Sequence, residues 1–160
     1  AAAVFRARGI TPIVMGDSVT GESREVAKVF AAFARQIRQH GHPQRPPVAL
    51  ISGGETTVTI RGTGRGGRCS EFLLSLAIEL GDLAATYALA CDTDGIDGTE
   101  DNAGAILGPD SLKRAAALGI DARRLLCAND GYGFFAALGD LVVTGPTRTN
   151  VNDYRVVFVA

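Results

Sequence analysis

The sequence predicts an α/β protein, a three-layer αβα sandwich with a mixed, mostly parallel sheet. Six strand-like segments and five helical patterns follow one another in mostly alternating order over 160 residues, and such alternation places helices on both faces of a sheet. Two consecutive strand pairs, 48/56 and 141/154, are candidates for antiparallel pairing, which makes the sheet mixed. The strands are predicted near residues 11, 48, 56, 86, 141 and 154, and the helices near residues 22, 68, 110, 121 and 131.

The first part of the chain combines a strand, a helix and a proline-rich linker. Residues 11–15 form a short β-type run, and residues 22–40 carry apolar side chains at helical spacing. Prolines in residues 41–47 cannot continue a helix or a ladder, so a subdomain boundary is predicted there. Residues 1–9 read like the end of a helix and contain no initiating Met, which predicts a piece of a longer protein. The apolar positions of the helix are Val26, Val29, Phe30, Phe33 and Ile37.

A glycine-rich loop follows two predicted strands and opens a predicted helix. Residues 48–51 are apolar, residues 56–60 are rich in β-branched side chains, and residues 61–68 contain four glycines and three arginines. The next helix, residues 68–80, is apolar nearly all round, which predicts burial on more than one side. Glycines let backbone N–H groups approach an anion closely, and a helix N-terminus adds partial positive charge. The loop is therefore predicted to bind an anion.

Two other interpretations of this loop stay open. Gly62–Gly67 fits the G-x-G-x-x-G pattern of dinucleotide-binding proteins in a strand-then-helix context. The loop can equally be a flexible turn with solvated arginines. The ATP-binding P-loop is excluded, because Arg68 and Cys69 stand where Lys and Ser or Thr are required.

Acidic residues cluster after the next predicted strand, residues 86–91. Five carboxylates lie within residues 92–101, but an EF-hand is excluded because two liganding positions would be apolar. A carboxylate at a strand end, facing a phosphate loop, can hold Mg²⁺ or orient a hydroxyl group. Asp94 and Asp97 are therefore candidate metal ligands, and the alternative is that these acids cap a turn and a helix.

The last third of the chain is predicted to contain three short helices and two strands. Asn129 and Asp130 precede the third helix, and they either cap it or meet a ligand. A polar loop, residues 145–153, joins the two strands and is too long for a tight hairpin. The helices are predicted at residues 110–118, 121–127 and 131–138, and the strands at residues 141–144 and 154–159.

The composition excludes several classes of protein. Hydrophobic residues make up 46% of the chain, charged residues 21%, and the net charge is −1, so the chain is predicted to be globular and not built to grip nucleic acid or a lipid surface. No apolar run reaches the ~18 residues of a membrane span. The three cysteines have no metal-ligand spacing, which predicts reduced thiols and a cytoplasmic location.

Five short motifs occur in a fixed order: ISGGETTVTI from Ile51, GRGGRCSEF from Gly64, TDGIDG from Thr93, NDGYGFF from Asn129 and TGPTRTNVND from Thr144. Together they resemble the MOFRL domain, the C-terminal part of class II glycerate 2-kinases, which are often named hydroxypyruvate reductases. The resemblance covers roughly residues 48–160, and five motifs in order are more specific than any one of them. It implies that residues 1–47 are the end of the preceding domain of that family.

The resemblance implies transfer of phosphate from ATP to the 2-hydroxyl of D-glycerate, with Mg²⁺, in a cleft between two domains. Arg68 and Asp94 become the predicted catalytic residues, and Asp94 and Asp97 the predicted metal ligands. Arg65 and Arg68 can clamp a carboxylate or phosphate with paired hydrogen bonds. Cys69 and Ser70 stand where the family usually has Asn and Gln, so no role of that amide pair carries over. The implied substrate- or phosphate-binding residues are Gly53, Gly54, Glu55, Arg65, Gly66, Gly67, Glu71, Thr93, Asn150, Asn152 and Asp153.

The expected partners are a small hydroxy-acid substrate and the N-terminal domain of the same polypeptide. The lysine on which the family relies belongs to that domain, so the chain alone is predicted to be inactive. A homodimer is an open alternative, whereas nucleic-acid and membrane partners are not expected. Two other functions stay open: an NAD(P)H-dependent hydroxypyruvate reductase, and a non-catalytic regulatory or dimerisation module.

Overall fold

The computed structural model describes residues 1–160 as one mixed sheet with six helices. The strand order is β1-β2-β6-β3-β4-β5. The helices are α1 (Ala2–Arg6), α2 (Ser23–His40), α3 (Arg68–Leu80), α4 (Ser111–Ala117), α5 (Ala122–Cys127) and α6 (Gly131–Leu138). The strands are β1 (Thr11–Gly16), β2 (Val48–Ser52), β3 (Thr86–Asp92), β4 (Gly104–Leu107), β5 (Leu141–Val142) and β6 (Asp153–Val159).

The α/β class and the mixed sheet are confirmed, but the prediction of a mostly parallel sheet is wrong. Only β1 and β2 pair in parallel, through the crossover helix α2, and the other four pairs are antiparallel. The reason is the position of β6, which lies between β2 and β3 and runs opposite to both. The C-terminal strand thus separates two strands of equal direction and replaces one parallel pairing by two antiparallel ones.

Two strand predictions fail for local reasons. Residues 56–60 form no strand, and Thr57 makes only an isolated bridge with Glu22. The predicted antiparallel pairs 48/56 and 141/154 are accordingly absent, since β5 pairs with β4. Conversely β4 was not predicted, although its sequence Gly-Ala-Ile-Leu is an apolar run between Asn102 and Gly108. A run of four residues, of which Gly104 and Ala105 have low strand propensity, is a weak strand signal.

The main core lies between one face of the sheet and helices α2 to α6. Helix α3 is buried nearly all round, as predicted, and the ring of Phe72 meets Phe30 of α2 edge to face at 5.5 Å. The buried stripe of α2 differs from the prediction, because Val29 and Phe33 are 53% and 36% exposed. The buried apolar positions of that helix are Ala27, Phe30, Ala31, Ala34 and Ile37.

The second face of the sheet is apolar and carries little cover. One registered row crosses five strands and consists of Val14, Ile51, Val156, Leu89 and Ile106. The five-residue α1 packs over its middle, so Ile51 and Val156 are buried, whereas Val14 and Ile106 are 61% and 48% exposed. The second helical layer of the predicted sandwich therefore consists of α1 alone.

Residues 1–47 are not separate in packing from the rest of the chain. They supply β1 to the sheet and α2 to the main core. The division of the chain at residue 47 therefore stays a prediction about family domains and does not correspond to a break in the core. None of the six helices combines the length and apolar character that crossing a membrane requires.

The three cysteines differ in exposure, and this predicts their reactivity. Cys69 is buried, Cys127 is exposed, and burial raises the pKa of the half-buried Cys91 to about 12. Because the thiolate is the nucleophile, we expect iodoacetamide at pH 8 to alkylate Cys127 at least about tenfold faster than the other two. Peptide mass spectrometry measures this. In urea all three should react at similar rates, and equal rates in the folded protein would contradict the expectation.

Candidate functional site

The candidate site lies at one end of the inner strands of the sheet, where β2 and β3 end and β6 begins. Asp92, the last residue of β3, pairs with Asp153, the first residue of β6. Helix α3 points its first residue, Arg68, at both: Nε donates to Asp153 Oδ1 and Nη2 donates to Asp92 Oδ2, each at 2.6 Å. The glycine loop, which precedes α3, and the acidic turn after β3 therefore meet at one rim.

Arg68 is the positively charged side chain that this rim presents to solvent. Its side chain is 23% exposed, and Nη1 lies 3.5 Å from Oε1 of Glu55, whose side chain is 57% exposed. Both residues line an open groove of about 770 Å³, together with Gly64–Gly67 and Gly98–Glu100. The two carboxylates fix the guanidinium, and its remaining side is directed towards the groove.

A second cavity, of about 560 Å³, lies beside this groove. Gly53, Thr93 and Asp153 contribute to its wall. Gly54 belongs to the turn between the two spaces and packs tightly there: its φ is +100°, and a Cβ on it would lie 2.3 Å from the carbonyl oxygen of Val19. Only glycine fits that position.

The backbone of the glycine loop is bonded to the protein's own side chains. Asn129 Oδ1 accepts from the N–H groups of Arg61 and Gly62 at 2.6 and 3.1 Å. Asp130 Oδ1 accepts from the Arg65 N–H at 3.1 Å and also caps α6 by accepting from Gly133. Because these N–H groups are already satisfied, the prediction that the loop cradles an anion with its backbone is not supported. Asp130 caps α6, whereas Asn129 holds the glycine loop in place.

The glycines permit this close packing. A Cβ on Gly62 would lie 2.4 Å from the Ala128 carbonyl oxygen, and one on Gly64 would lie 2.5 Å from Cβ of Asp130. The segment before the loop forms no strand, so the strand-then-helix context that dinucleotide binding requires is also missing.

Asp97 occupies the N-terminus of α3. It is fully buried, Oδ1 accepts from the Cys69 N–H at 2.9 Å, and Oδ2 accepts from the Ser70 N–H at 2.8 Å and the Gly67 N–H at 3.3 Å. Burial raises the pKa of the Asp97 carboxyl, and these backbone hydrogen bonds oppose the rise. With both oxygens bonded inwards, Asp97 has no side open to a cation, which argues against its predicted role as a metal ligand.

Glu71 is also turned inwards. It is 3% exposed, Oε1 accepts from Arg24 Nε at 2.9 Å, and Oε2 accepts from Asn129 Nδ2 at 2.7 Å. Since Asn129 holds the glycine loop, this buried chain joins α2, α3 and the loop. The prediction that Glu71 binds substrate or phosphate does not fit this position, because its oxygens are used within the protein.

Asp94 stands at the rim in a tight turn. Its N–H donates to Asp92 Oδ1 at 3.3 Å, and its Oδ1 accepts from the Ile96 N–H at 2.9 Å. The carboxylate is half-buried, and Oδ2 makes no hydrogen bond within the chain. Burial raises the pKa of the neighbouring Asp92 carboxyl, while the Asp94 N–H and the Arg68 guanidinium oppose the rise. Asp94 is therefore the predicted metal ligand whose position allows an external partner.

The polar loop before β6 is tied to the acidic turn. Thr93 Oγ1 donates to the Asn152 carbonyl oxygen at 2.7 Å and accepts from the Val151 N–H at 2.9 Å. Asn150 is exposed, and its Oδ1 accepts from the Asn152 N–H at 2.9 Å. Asp153, in contrast, is 2% exposed and lies between Arg68 and Arg155. Its carboxylate therefore stabilises the rim by accepting hydrogen bonds from both arginines.

Arg65 lies at the outer side of the groove. It pairs with Glu100, and its guanidinium stacks 4.2 Å from the ring centre of Tyr132. The rim thus gathers most of the predicted residues and leaves two, Glu71 and Asp97, in buried structural positions. Those at the rim or the groove are Gly53, Gly54, Glu55, Arg65, Gly66, Gly67, Arg68, Thr93, Asp94, Asn150, Asn152 and Asp153.

Two residues of the rim are missing from the sequence prediction. Asp92 ends a strand one residue before a predicted site residue, and Arg155 is fully buried within β6. A charged residue inside an apolar strand is itself a signal, because arginine is almost never fully buried without a partner. Applied to Arg155, this rule would have pointed to a buried carboxylate nearby.

Asn129 predicts a large effect from a small substitution. We expect Asn129→Asp to lower the free energy of unfolding by about 2–3 kcal/mol, because it removes the donor to Glu71 and places two carboxylates in contact. Urea unfolding followed by circular dichroism measures this. The matched control is Asn150→Asp on the exposed loop, for which we expect a change within about 0.5 kcal/mol. Equal effects of the two substitutions would contradict the proposed importance of this contact.

Fold and rim together define a mixed α/β domain of the class that presents charged side chains for ligands at the ends of its strands. The family comparison is specific. The chain belongs to the MOFRL family, whose model matches residues 48–153.

The relatives and a solved structure agree with this family. A protein from Agrobacterium vitis with "hydroxypyruvate reductase" in its name is 53% identical over 161 residues, covering 99% of this chain and 42% of the relative. The D-glycerate 2-kinase of Thermotoga maritima is 37% identical over 153 residues, covering 96% of this chain and 37% of the relative. A crystal structure of glycerate kinase from Thermotoga maritima superposes with a TM-score of 0.96 at 34% identity, covering 99% of this chain and 38% of that chain. This chain therefore spans less than half the length of these relatives.

Proposed function

We propose that this chain is the C-terminal part of a glycerate 2-kinase and forms one wall of an interdomain cleft in which ATP phosphorylates D-glycerate to 2-phosphoglycerate. The γ-phosphoryl group passes from ATP to the 2-hydroxyl oxygen, the bond to the β-phosphate oxygen breaks, ADP leaves, and the hydroxyl proton is released. The observation that carries the proposal is the guanidinium of Arg68, held by Asp92 and Asp153 beside an open groove. Phosphoryl transfer depends mainly on positioning and on positive charge around the moving group.

Arg68 and Arg65 would supply that positive charge from this side of the cleft. Arg68 is fixed and part-buried, so its interaction with an anion is stronger than that of a free side chain in water. Glu55 faces the same groove and would orient a hydroxyl group of the substrate by accepting its hydrogen bond. Asn150 and Asn152 extend from the exposed loop on the other side of Asp94 and would bind polar groups there.

The residues of this chain fit Mg²⁺ only if the phosphates of ATP supply the other ligands of the ion. The chain contains no group of three or more His, Cys, Asp or Glu side chains that could hold a metal ion. Mg²⁺ is usually bound by one or two carboxylates together with substrate phosphates, and Asp94 is placed to contribute one carboxylate. Bound Mg²⁺ would neutralise charge on the phosphates.

The rest of the active site would come from another part of the enzyme. This chain covers 42% and 37% of the two relatives described above, and the N-terminal domain of the family would complete the cleft. We propose that the 160 residues alone are inactive for this reason.

A second function, an NAD(P)H-dependent hydroxypyruvate reductase, is favoured by the name of the Agrobacterium vitis relative. The loop geometry speaks against it. The N–H groups at the start of α3 are filled by Asp97, and those of Arg61, Gly62 and Arg65 by Asn129 and Asp130. A dinucleotide pyrophosphate needs such groups free.

The experiment compares both reactions on one enzyme. The N-terminal part of the Agrobacterium vitis relative is fused ahead of Ala1 to give a protein of the relatives' length. ADP formation is measured with D-glycerate and ATP, and NADH or NADPH oxidation with hydroxypyruvate. We expect only the first reaction, and none with the 160-residue chain. Oxidation of NADH or NADPH without ADP formation would refute the proposed function, and activity of neither kind would favour the non-catalytic module.

A further inference from the structure

A buried arginine, Arg155, lies directly behind the arginine that faces the groove. Its side chain has no solvent exposure. Nη1 donates to the Gly53 carbonyl oxygen and Nη2 to Thr56 Oγ1, both at 3.1 Å, and Nη2 also donates to Asp153 Oδ2. The other oxygen of that carboxylate, Oδ1, accepts from Arg68 Nε at 2.6 Å. One carboxylate is therefore shared between a buried and a part-exposed guanidinium.

We propose that Arg155 is a positioning residue that keeps Arg68 available for an anionic ligand, which deepens the proposed function and rests on it. Arg68 contacts two buried carboxylates, those of Asp92 and Asp153, and on its outer side the exposed carboxylate of Glu55, which solvent screens. One guanidinium with the two buried carboxylates carries a net charge of −1, and such a group repels a phosphate or a carboxylate. Arg155 brings the charge of this buried group to zero, and because burial weakens screening, the added positive charge acts strongly at the groove.

Arg155 also fixes the direction of the shared carboxylate. Asp153 gives Oδ2 to Arg155 and Oδ1 to Arg68, so its plane is set by two partners. Without Arg155 both oxygens could bind Arg68 in the paired geometry that arginine and carboxylate favour. That pairing would draw Nη2 of Arg68 away from Asp92, to which it now donates, and Nη1 away from the groove.

The anchoring of Arg155 comes from three parts of the chain. Gly53 belongs to the turn after β2, and Thr56 Oγ1 accepts from Ser23 Oγ of α2 at 2.6 Å. The ring of Phe72 in α3 has its centre 5.6 Å from the guanidinium carbon. These contacts hold the cation in one place, as a positioning role requires. Lysine would keep the charge but not all of these hydrogen bonds.

The test compares Arg155→Lys, which keeps the charge, with Arg155→Met, which removes it. Arg114→Met is the matched control, because Arg114 also pairs with a carboxylate, Asp140, but outside the rim. The readout is the ¹H–¹⁵N signal of the Arg68 Nε–H group in the 160-residue chain, titrated with inorganic phosphate and, separately, with D-glycerate. Amide spectra and thermal unfolding report on the fold of each variant.

We expect Arg155→Met to weaken phosphate binding at least tenfold, Arg155→Lys to stay within threefold of the unaltered chain, and Arg114→Met to leave binding unchanged. Both Arg155 variants should unfold at lower temperature, but only Arg155→Met should lose binding, so the effect on stability is distinguished from the effect on binding. A purely structural role would make both lose binding alike. Equal affinity in Arg155→Met and the unaltered chain, or equal loss in the methionine and lysine variants, would overturn the proposal.

The proposal can fail separately from the proposed function. If the unaltered chain binds neither phosphate nor D-glycerate, the kinase proposal loses support from this half, and Arg155 is judged on the Arg68 Nε–H signal without ligand. That signal must move in Arg155→Met and stay in place in Arg114→Met, and an unmoved signal overturns the inference. If Arg155→Met does not fold, Arg155→Gln, which is polar and uncharged, replaces it with the same expectation.

Discussion

Replacement of Arg68 by lysine is expected to lower kcat/KM of the proposed glycerate kinase reaction by about 10²–10³-fold, the loss typical of removing one group that stabilises the transition state. The guanidinium donates to Asp92 and Asp153 through two nitrogens and keeps a third edge towards the groove. The single ammonium of lysine cannot reproduce that fork. Steady-state kinetics of the fused, relative-length enzyme with ATP and D-glycerate measure the effect, and thermal unfolding shows whether the fold is intact.

Arg65→Lys is the matched control for this experiment. Arg65 lies on the same groove, but its side chain is 60% exposed and its carboxylate partner is Glu100. Exposed ion pairs contribute little, so we expect a change in kcat/KM of less than about threefold. If both lysine variants lose activity equally, the special position of Arg68 is refuted. If neither loses activity, the rim is not the phosphate-handling site.

Replacement of Asp97 by alanine is expected to lower the free energy of unfolding by about 3 kcal/mol, because hydrogen bonds to a charged group are each worth about 1.5–3 kcal/mol and part of that gain offsets the cost of burial. The substitution leaves the N–H groups of Cys69 and Ser70 without an acceptor at the start of the most buried helix, and the Gly67 N–H keeps Ser70 Oγ alone. Urea unfolding followed by circular dichroism measures the loss.

The control for Asp97 lies near the other end of the same helix. Asp82 is exposed just after the end of α3, where a negative charge opposes the helix dipole. Asp82→Asn removes the same charge and should change the free energy of unfolding by less than about 0.5 kcal/mol. A similarly small effect of Asp97→Ala would contradict the assignment of Asp97 as the cap of α3.

Local signals were sufficient to predict the helices of this fold. Helix α3 reads as buried because its apolar residues surround the axis, and α2 ends just before Gly41, which has a left-handed φ of 68°. The place of β6 in the sheet could not be predicted. Its sequence is compatible with any central position. Its actual position, with β2 on one side and β3 on the other, depends on contacts between residues far apart in the chain. The parallel sheet was predicted wrongly for this reason.

The site was predictable in location and less so in detail. Strand ends and a helix start pointed to one rim, and Arg68 and Asp94 lie there. The sequence does not say whether a carboxylate binds a ligand or an N–H group of its own chain. Asp97 and Glu71 have the chemistry of ligand-binding residues, but their partners are Cys69, Ser70, Arg24 and Asn129. Such partners become visible only when the three-dimensional arrangement is known.

Because the second face of the sheet carries an apolar row, successive residues of one strand pack in two different environments. In β3, Ala88 and Ala90 pack in the main core, whereas Leu89 belongs to the row between Val156 and Ile106. A larger side chain at Ala88 or Ala90 would overpack the core, which typically lowers stability by about 1–3 kcal/mol. Ile106 is 48% exposed, so a substitution there is expected to change the free energy of unfolding much less. Substitutions on the two faces of the same strand are therefore expected to differ widely in how much they destabilise the domain.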